Sequence, residues 1–102
     1  TSRFKVRNSG LIVLDTTITA GGTTGNQTIN KPTGTANIAS SGTAVTITNS
    51  VVTASSIVYA VARTNDTTCS VKNVVPSAGS FVINMTSACT AETSVGFLVV
   101  NE

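Results

Sequence analysis

Apolar and polar residues alternate in short runs along most of this 102-residue chain, and this alternation is typical of β-strands. Val45 and Ile47, for example, alternate with Thr46 and Thr48. Clusters of Gly, Asn, Ser and Pro interrupt the runs about every ten residues, as expected for turns. The pattern predicts an all-β fold, specifically a β-sandwich or jelly-roll-like module. The predicted strands span 3–7, 11–18, 27–30, 35–39, 43–48, 57–63, 68–75, 81–87 and 94–101.

Two of these strands, 57–63 and 94–100, are apolar on both faces. A strand of this kind is normally central in its sheet and covered on both sides. The four aromatic residues of the chain all lie in predicted strands, at positions expected to be buried. These residues are Phe4, Tyr59, Phe81 and Phe97.

Strands 68–75 and 81–87 predict a hairpin joined by the five-residue loop 76–80. A loop of this length places Val75 opposite Phe81 and Val71 opposite Met85, and it pairs Lys72 with Asn84 on the other face. This register keeps apolar and polar residues on separate faces, whereas a slip of one residue would mix them.

The chain divides into two predicted units. Three glycines occur within the segment 20–26, and Lys31-Pro32 follows soon after, so this region is a candidate linker. Residues 1–30 are therefore interpreted as a shaft-like or linker β segment, and residues 31–102 as a β-sandwich head module. Because the chain begins at Thr1, we expect it to be a fragment of a longer protein.

The composition favours self-association. Charged residues make up 10% of the chain, against about 25% in an average domain, and aromatic residues make up 4%. Strands with so few charges have edges that tend to associate, and identical copies can cover them. The residues predicted to form the core of such an oligomer are Ile57, Tyr59, Val61, Phe81, Val95, Phe97 and Val99.

The sequence offers little for catalysis or cofactor binding. It contains no His, so neither a Ser-His-Asp nor a Cys-His site can be built within it. Of its four carboxylates, Asp66 and Glu92 could approach each other, and Arg63 could pair with either one. Two separate surface acids are the preferred interpretation. We predict no enzymatic activity, no catalytic residue, no cofactor and no metal site.

Neither nucleic acid nor a membrane is an expected partner. The net charge of +2 is too small for a nucleic-acid footprint. No apolar run approaches the roughly 20 residues of a membrane span, so membrane insertion is not expected.

Cys69 and Cys89 lie 20 residues apart, which fits neither a CxxC redox motif nor a zinc knuckle. In the predicted hairpin register they are diagonal neighbours, at a separation that is borderline for a disulfide. Two interpretations remain, a disulfide or a pair of buried free thiols. The thiols are preferred, because free Cys commonly fills small gaps in a protein core.

Residues 31–101 resemble a module found at the C-terminal ends of bacteriophage tail fibre, tailspike and related virion proteins. Small residues would be expected in that module where Cys69 and Cys89 stand. The resemblance carries no catalytic motif and no binding residue. It rests on the segments 31–35 (KPTGT), 48–53 (TNSVVT), 64–68 (TNDTT), 71–81 (VKNVVPSAGSF) and 90–93 (TAET).

The resemblance implies a β-structured homotrimer that is made in the bacterial cytoplasm and resides in the virion. The implied function is trimerisation at the end of a tail fibre or tailspike, together with attachment to a host-surface polysaccharide or receptor. A trimeric capsid decoration protein is one alternative. A monomeric carbohydrate-binding module is another, although aromatic residues that could stack on sugars are few.

Overall fold

Residues 4–66 and 68–101, which the computed structural model describes, form ten β-strands and no helix. The all-β prediction is therefore confirmed at the level of fold class. No helix in the described part of the chain is long and apolar enough to cross a membrane. The strands are β1 (Phe4–Val6), β2 (Ile12–Leu14), β3 (Thr16–Ile18), β4 (Gln27–Thr28), β5 (Thr33–Ile38), β6 (Ala44–Thr48), β7 (Ile57–Ala62), β8 (Val71–Ser77), β9 (Ser80–Met85) and β10 (Thr93–Val100).

The strands form two four-stranded sheets and one separate hairpin. Sheet 1 has the order β3-β5-β10-β7, and sheet 2 has the order β4-β6-β9-β8. Both sheets are mixed, because β3 pairs parallel to β5 and β4 pairs parallel to β6, while the other pairings are antiparallel. Strands β1 and β2 form an antiparallel hairpin of their own. The resulting architecture is sandwich-like, with one core between the two sheets.

Side chains alternate between the core and solvent along the central strands, as a pleated strand requires. In β9, Phe81, Ile83 and Met85 are buried, and in β10 the buried set includes Val95 and Phe97. The rings of Phe81 and Phe97 come from opposite sheets and meet edge to face, with their centroids 4.9 Å apart. This aromatic contact joins the two sheets at the centre of the core.

Gly34 in β5 leaves no room for a side chain. A Cβ built there would lie 3.0 Å from the ring of Phe97 and 3.0 Å from the carbonyl oxygen of Thr17. We expect Gly34→Ala to destabilise the protein by about 1–3 kcal/mol, because the core and the β3 backbone would have to shift. Urea unfolding measures the loss. Gly21→Ala is the matched control, since a Cβ there meets nothing within 4 Å, and an equal loss in both variants would contradict this explanation.

The β8–β9 hairpin differs in register from the prediction. Val71 pairs with Met85 as expected, but Val75 pairs with Val82, and Pro76 pairs with Phe81. The turn is tighter than the predicted loop, since Ser77 already pairs with Ser80 and Gly79 adopts a φ of 82°. The predicted pairing of Lys72 with Asn84 is wrong as well. A bulge at Lys72 shifts the register, so Asn73 lies opposite Asn84.

The predicted linker is part of the sandwich. Strands β3 and β4 are the first strands of sheets 1 and 2, and Ile29 lies in the shared core. The Nδ2 atom of buried Asn37 donates hydrogen bonds to the carbonyl oxygens of Ala20, at 2.9 Å, and Thr23, at 3.0 Å. These bonds hold the glycine-rich loop against sheet 1. Residues 16–30 therefore belong structurally with the head, and only the β1–β2 hairpin stands apart.

Candidate interaction surface

A row of large apolar side chains is exposed on the outer face of sheet 1. Ile57, Tyr59 and Val61 in β7 are 57%, 60% and 62% exposed. The antiparallel register places Leu98 of β10 beside Tyr59, and Val100 beside Ile57. These five residues are called the β7 face below.

The location of β7 explains why this row is open to solvent. We predicted a central strand covered on both sides, and this is wrong, because β7 is the edge strand of sheet 1 and pairs with β10 alone among the described residues. Its inward residues, Val58 and Ala60, pack against the core. No sheet or loop among residues 4–66 and 68–101 covers the opposite row, whose members Ile57, Tyr59 and Val61 are exposed. The prediction that Tyr59 is buried is wrong for the same reason.

The two edge strands β7 and β8 are protected very differently. Natural proteins usually guard an edge strand with a charge, a proline or a bulge. Strand β8 has all three, namely Lys72, Pro76 and the bulge at Lys72. Strand β7 has the sequence IVYAVA and contains none of them. Strand β8 of sheet 2 lies close to β7 but pairs with β9, and the outer apolar row of β7 remains exposed. This outer row is the surface that favours association.

A shallow depression of about 350 Å³ lies beside the row. The residues that line it include Gly96, Tyr59, Val61, Leu98 and Arg63. Thr residues of β3 and β5 and the phenol of Tyr59 supply hydroxyl groups to it. Its surface is mainly apolar, and Arg63 supplies a guanidinium.

The other predicted oligomer-core residues lie inside the single chain. Phe81, Val95, Phe97 and Val99 are all less than 9% exposed and pack between the two sheets. The chain itself covers them, because alternate side chains of β9 and β10 point into the core between the two sheets. The predicted set is thus divided. Only its three β7 members face outward, where a partner could reach them.

Cys69 and Cys89 form a disulfide, with their Cα atoms 5.0 Å apart. The preference for free thiols was therefore wrong. The chain turns back after β9, and the amide of Thr86 donates a hydrogen bond to the carbonyl oxygen of Ser70, which carries Cys89 next to Cys69. Both residues are buried. The bond links the segment before β8 to the segment before β10.

Asp66 ties together the same two segments. Its Oδ1 accepts hydrogen bonds from the hydroxyl and the amide of Thr68, at 2.5 and 2.8 Å, and its Oδ2 accepts from the hydroxyl of Thr90 at 2.9 Å. These bonds, those from Thr68 above all, hold the pKa of Asp66 well below its usual value of 3.8. Asp66 is therefore a structural carboxylate that remains ionised at neutral pH.

We expect the Asp66 interactions to weaken in acid. A carboxylate with a lowered pKa contributes stability above the pKa of the unfolded chain, and this contribution is lost as the pH falls below about 3.8. Asp66→Asn should therefore be less stable than the wild type at neutral pH, and the difference should shrink at about pH 2. Thermal unfolding at both pH values measures it. A difference that stays constant with pH would contradict the assignment.

The structure does not form the predicted ion pairs of Arg63. Its Nη1 donates to the Oγ of Ser94 at 3.2 Å, whereas Glu92 accepts a hydrogen bond from the amide of Gly22 at 2.8 Å. In the described ranges 4–66 and 68–101, the ion pair that forms joins Lys31 and Asp15, at 3.8 Å. Asp66 and Glu92 are engaged with separate backbone segments, so they do not form a paired-carboxylate site.

Comparisons with known proteins add no relative. The chain matches no protein-family model, no curated protein and no solved structure. The feature that bears most directly on function is therefore physical, namely the exposed β7 face on an unguarded edge strand.

Proposed function

We propose that this chain is a non-catalytic structural module that assembles as a homotrimer at the C-terminal end of a bacteriophage tail fibre or tailspike. Its role is to form and hold the trimer, with attachment to a host-surface polysaccharide or receptor as a further role. The observation that carries the proposal is the exposed row Ile57, Tyr59 and Val61. The resemblance of residues 31–101 to virion modules supplies the biological setting.

The energetics favour covering this row. Burying a half-exposed Ile, Val or Tyr side chain contributes on the order of 1 kcal/mol, so the β7 face contributes several kcal/mol per copy. The chain has few charged residues, so electrostatic repulsion does little to keep two such surfaces apart. In a closed ring of three copies the stabilisation is gained three times.

The disulfide is compatible with a virion protein that is made in the bacterial cytoplasm. Reducing systems there keep thiols free, so Cys69 and Cys89 would be reduced during synthesis. After release from the cell they would form the disulfide by losing two electrons and two protons to an extracellular oxidant such as dioxygen. In this proposal the β1–β2 hairpin continues the fibre shaft, and the sandwich that follows is the head.

The mass of the purified chain in solution tests the proposal. Light scattering combined with size-exclusion chromatography should give the mass of three chains, about three times 10.3 kDa, at micromolar concentration. A mass of one chain under the same conditions would reject a trimeric structural role.

A carbohydrate-binding module is the second candidate, and the exposure of Tyr59 favours it. An exposed aromatic ring beside a shallow depression can stack on a sugar, and Arg63 and the neighbouring Thr hydroxyls could bind its hydroxyl groups. A glycan array probed with the wild type and with Tyr59→Ala tests this candidate. Binding that depends on Tyr59 in a chain with the mass of a monomer would favour it over the trimer.

A further inference from the structure

The connections from β5 to β6, from β7 to β8 and from β9 to β10 all cross between the two sheets, and they meet at one end of the sandwich. The register brings their ends together, since Ile38 lies opposite Thr93 in sheet 1. Cys69 lies in the β7–β8 connection and Cys89 in the β9–β10 connection. Their disulfide therefore joins two neighbouring crossings between the sheets.

Hydrogen bonds hold Cys89 in place independently of the disulfide. Its carbonyl oxygen accepts a bond from the amide of Ser41 at 2.6 Å, and its amide donates to the carbonyl oxygen of Gly42 at 3.1 Å. Both partners lie in the β5–β6 connection. Ser41 adopts a φ of 70° there, which few residues other than glycine adopt without supporting contacts. The turn and the backbone of Cys89 therefore support each other.

A second set of hydrogen bonds holds the β7–β8 connection against the β9–β10 connection. The bonds that Asp66 accepts from Thr68 and Thr90 are called the Asp66 clamp below, and they include a bond from the amide of Thr90 at 3.1 Å. On the other side of the disulfide, the amide of Thr86 donates to the carbonyl oxygen of Ser70 at 2.9 Å. The two connections should therefore lie together whether or not the sulfur atoms are bonded.

Both cysteines are closed off from solvent. Cys69 is 5% exposed and Cys89 is 1% exposed. Thiol–disulfide exchange requires a thiolate to reach one of the sulfur atoms, so a reagent can act only after this end of the sandwich has opened. The Asp66 clamp spans the two connections that have to separate. Its strength therefore governs how often the sulfur atoms become accessible.

We propose that Cys69 and Cys89 form a redox switch of stability: the reduced chain already folds to the same sandwich, the disulfide then fixes the end where the connections meet, and the Asp66 clamp controls access to the bond. When the bond forms, the two thiols lose two electrons and two protons to a disulfide oxidant such as oxidised glutathione, which becomes two molecules of reduced glutathione. When it breaks, a dithiol reductant returns them and itself becomes a cyclic disulfide.

The switch acts within one chain and does not depend on the proposed trimer. Oxidation changes the stability of the fold and leaves its architecture unchanged. The chain is thus less stable in a reducing compartment and more stable in an oxidising one.

The rate of reduction in the folded state tests the role of the clamp. The oxidised full chain is incubated with excess dithiothreitol without denaturant, and free thiols are alkylated and counted by mass over time. We expect Asp66→Asn to be reduced at least about tenfold faster than the wild type, because the variant loses charge-assisted hydrogen bonds and opens more often at this end.

Gly34→Ala is the matched control for this rate. Gly34 lies opposite Phe97, away from the end of β5 that leads to the cysteines, and the substitution strains the core there. We expect it to change the rate of reduction much less than Asp66→Asn does. Equal acceleration in the two variants would show that the whole fold has to open, which overturns the role of the clamp.

An unchanged rate in Asp66→Asn would overturn that role as well. If Asp66→Asn does not fold, Thr90→Val provides the same test. This variant removes the hydroxyl that donates to Asp66 at 2.9 Å and keeps a β-branched side chain.

Circular dichroism and urea unfolding of the reduced wild type test whether the fold precedes the bond. We expect the β spectrum of the oxidised chain, with cooperative unfolding at a lower urea concentration. A reduced chain without β-structure would overturn the switch, because the disulfide would then be required for folding itself. Light scattering decides the trimer separately, so the failure of one proposal is distinguishable from the failure of the other.

Discussion

Replacing Tyr59 and Val61 together with Thr is expected to convert the proposed trimer into folded single chains at micromolar concentration. The two side chains are about 60% exposed, so the fold itself loses few contacts. Thr is suited to a strand, so β7 should still form. The apolar surface offered to a neighbouring copy falls sharply, by several kcal/mol over three interfaces. Light scattering measures the mass, and circular dichroism confirms that the β-structure remains.

Val75→Thr is the matched control for this experiment. Val75 is 50% exposed and also lies on an edge strand, but β8 is guarded by Lys72 and Pro76. The control should therefore keep the wild-type mass. If the β7 variant keeps the trimer mass, or if the control loses it, then β7 is not the surface through which the chains associate.

The second large effect concerns the disulfide. Replacing Cys69 and Cys89 with Ala is expected to lower the free energy of unfolding by about 3 kcal/mol, because the bond closes a loop of 20 residues in the unfolded chain. For a domain of this size the melting temperature should fall by roughly 10–20 °C. Thermal unfolding followed by circular dichroism measures the change.

Reduction of the wild type provides an independent check. The wild type in excess reductant should unfold at about the same temperature as the double Ala variant, and the variant itself should not respond to reductant. A variant as stable as the oxidised wild type would show that Asp66 and its Thr partners hold the two segments together without the bond. The loss of stability in Asp66→Asn would then measure how much the hydrogen bonds of Asp66 contribute to holding the two segments together.

Local pattern predicted the strands well, because each strand depends on residues close in sequence. The alternation of Val45 and Ile47 with Thr identified β6, and the apolar runs identified β7 and β10. The break at Asp15 was missed. The predicted strand 11–18 is in fact two strands with different partners, and pattern alone does not report partners.

The errors concern neighbours in space. Strand β10 is central and β7 is at the edge, although both are apolar on both faces in sequence. That difference depends on which strands pair, and it decides whether Tyr59 is buried or exposed. The disulfide was undervalued for a similar reason, since the turn of the chain after β9 sets the position of Cys89 next to Cys69. The sequence therefore predicts that Ile57, Tyr59 and Val61 belong to an association surface, but it does not predict that they lie exposed on an edge strand.

The position of β10 has a consequence for biosynthesis. The last strand of the chain occupies the interior of sheet 1, where it pairs with both β5 and β7. Until it has left the ribosome these two strands have no common neighbour, and sheet 1 cannot close. The nascent domain therefore carries uncovered strand edges until β10 has been synthesised, and during this time aggregation competes with folding. Loss of β10 should be far more damaging than loss of the β1–β2 hairpin, which pairs with neither sheet.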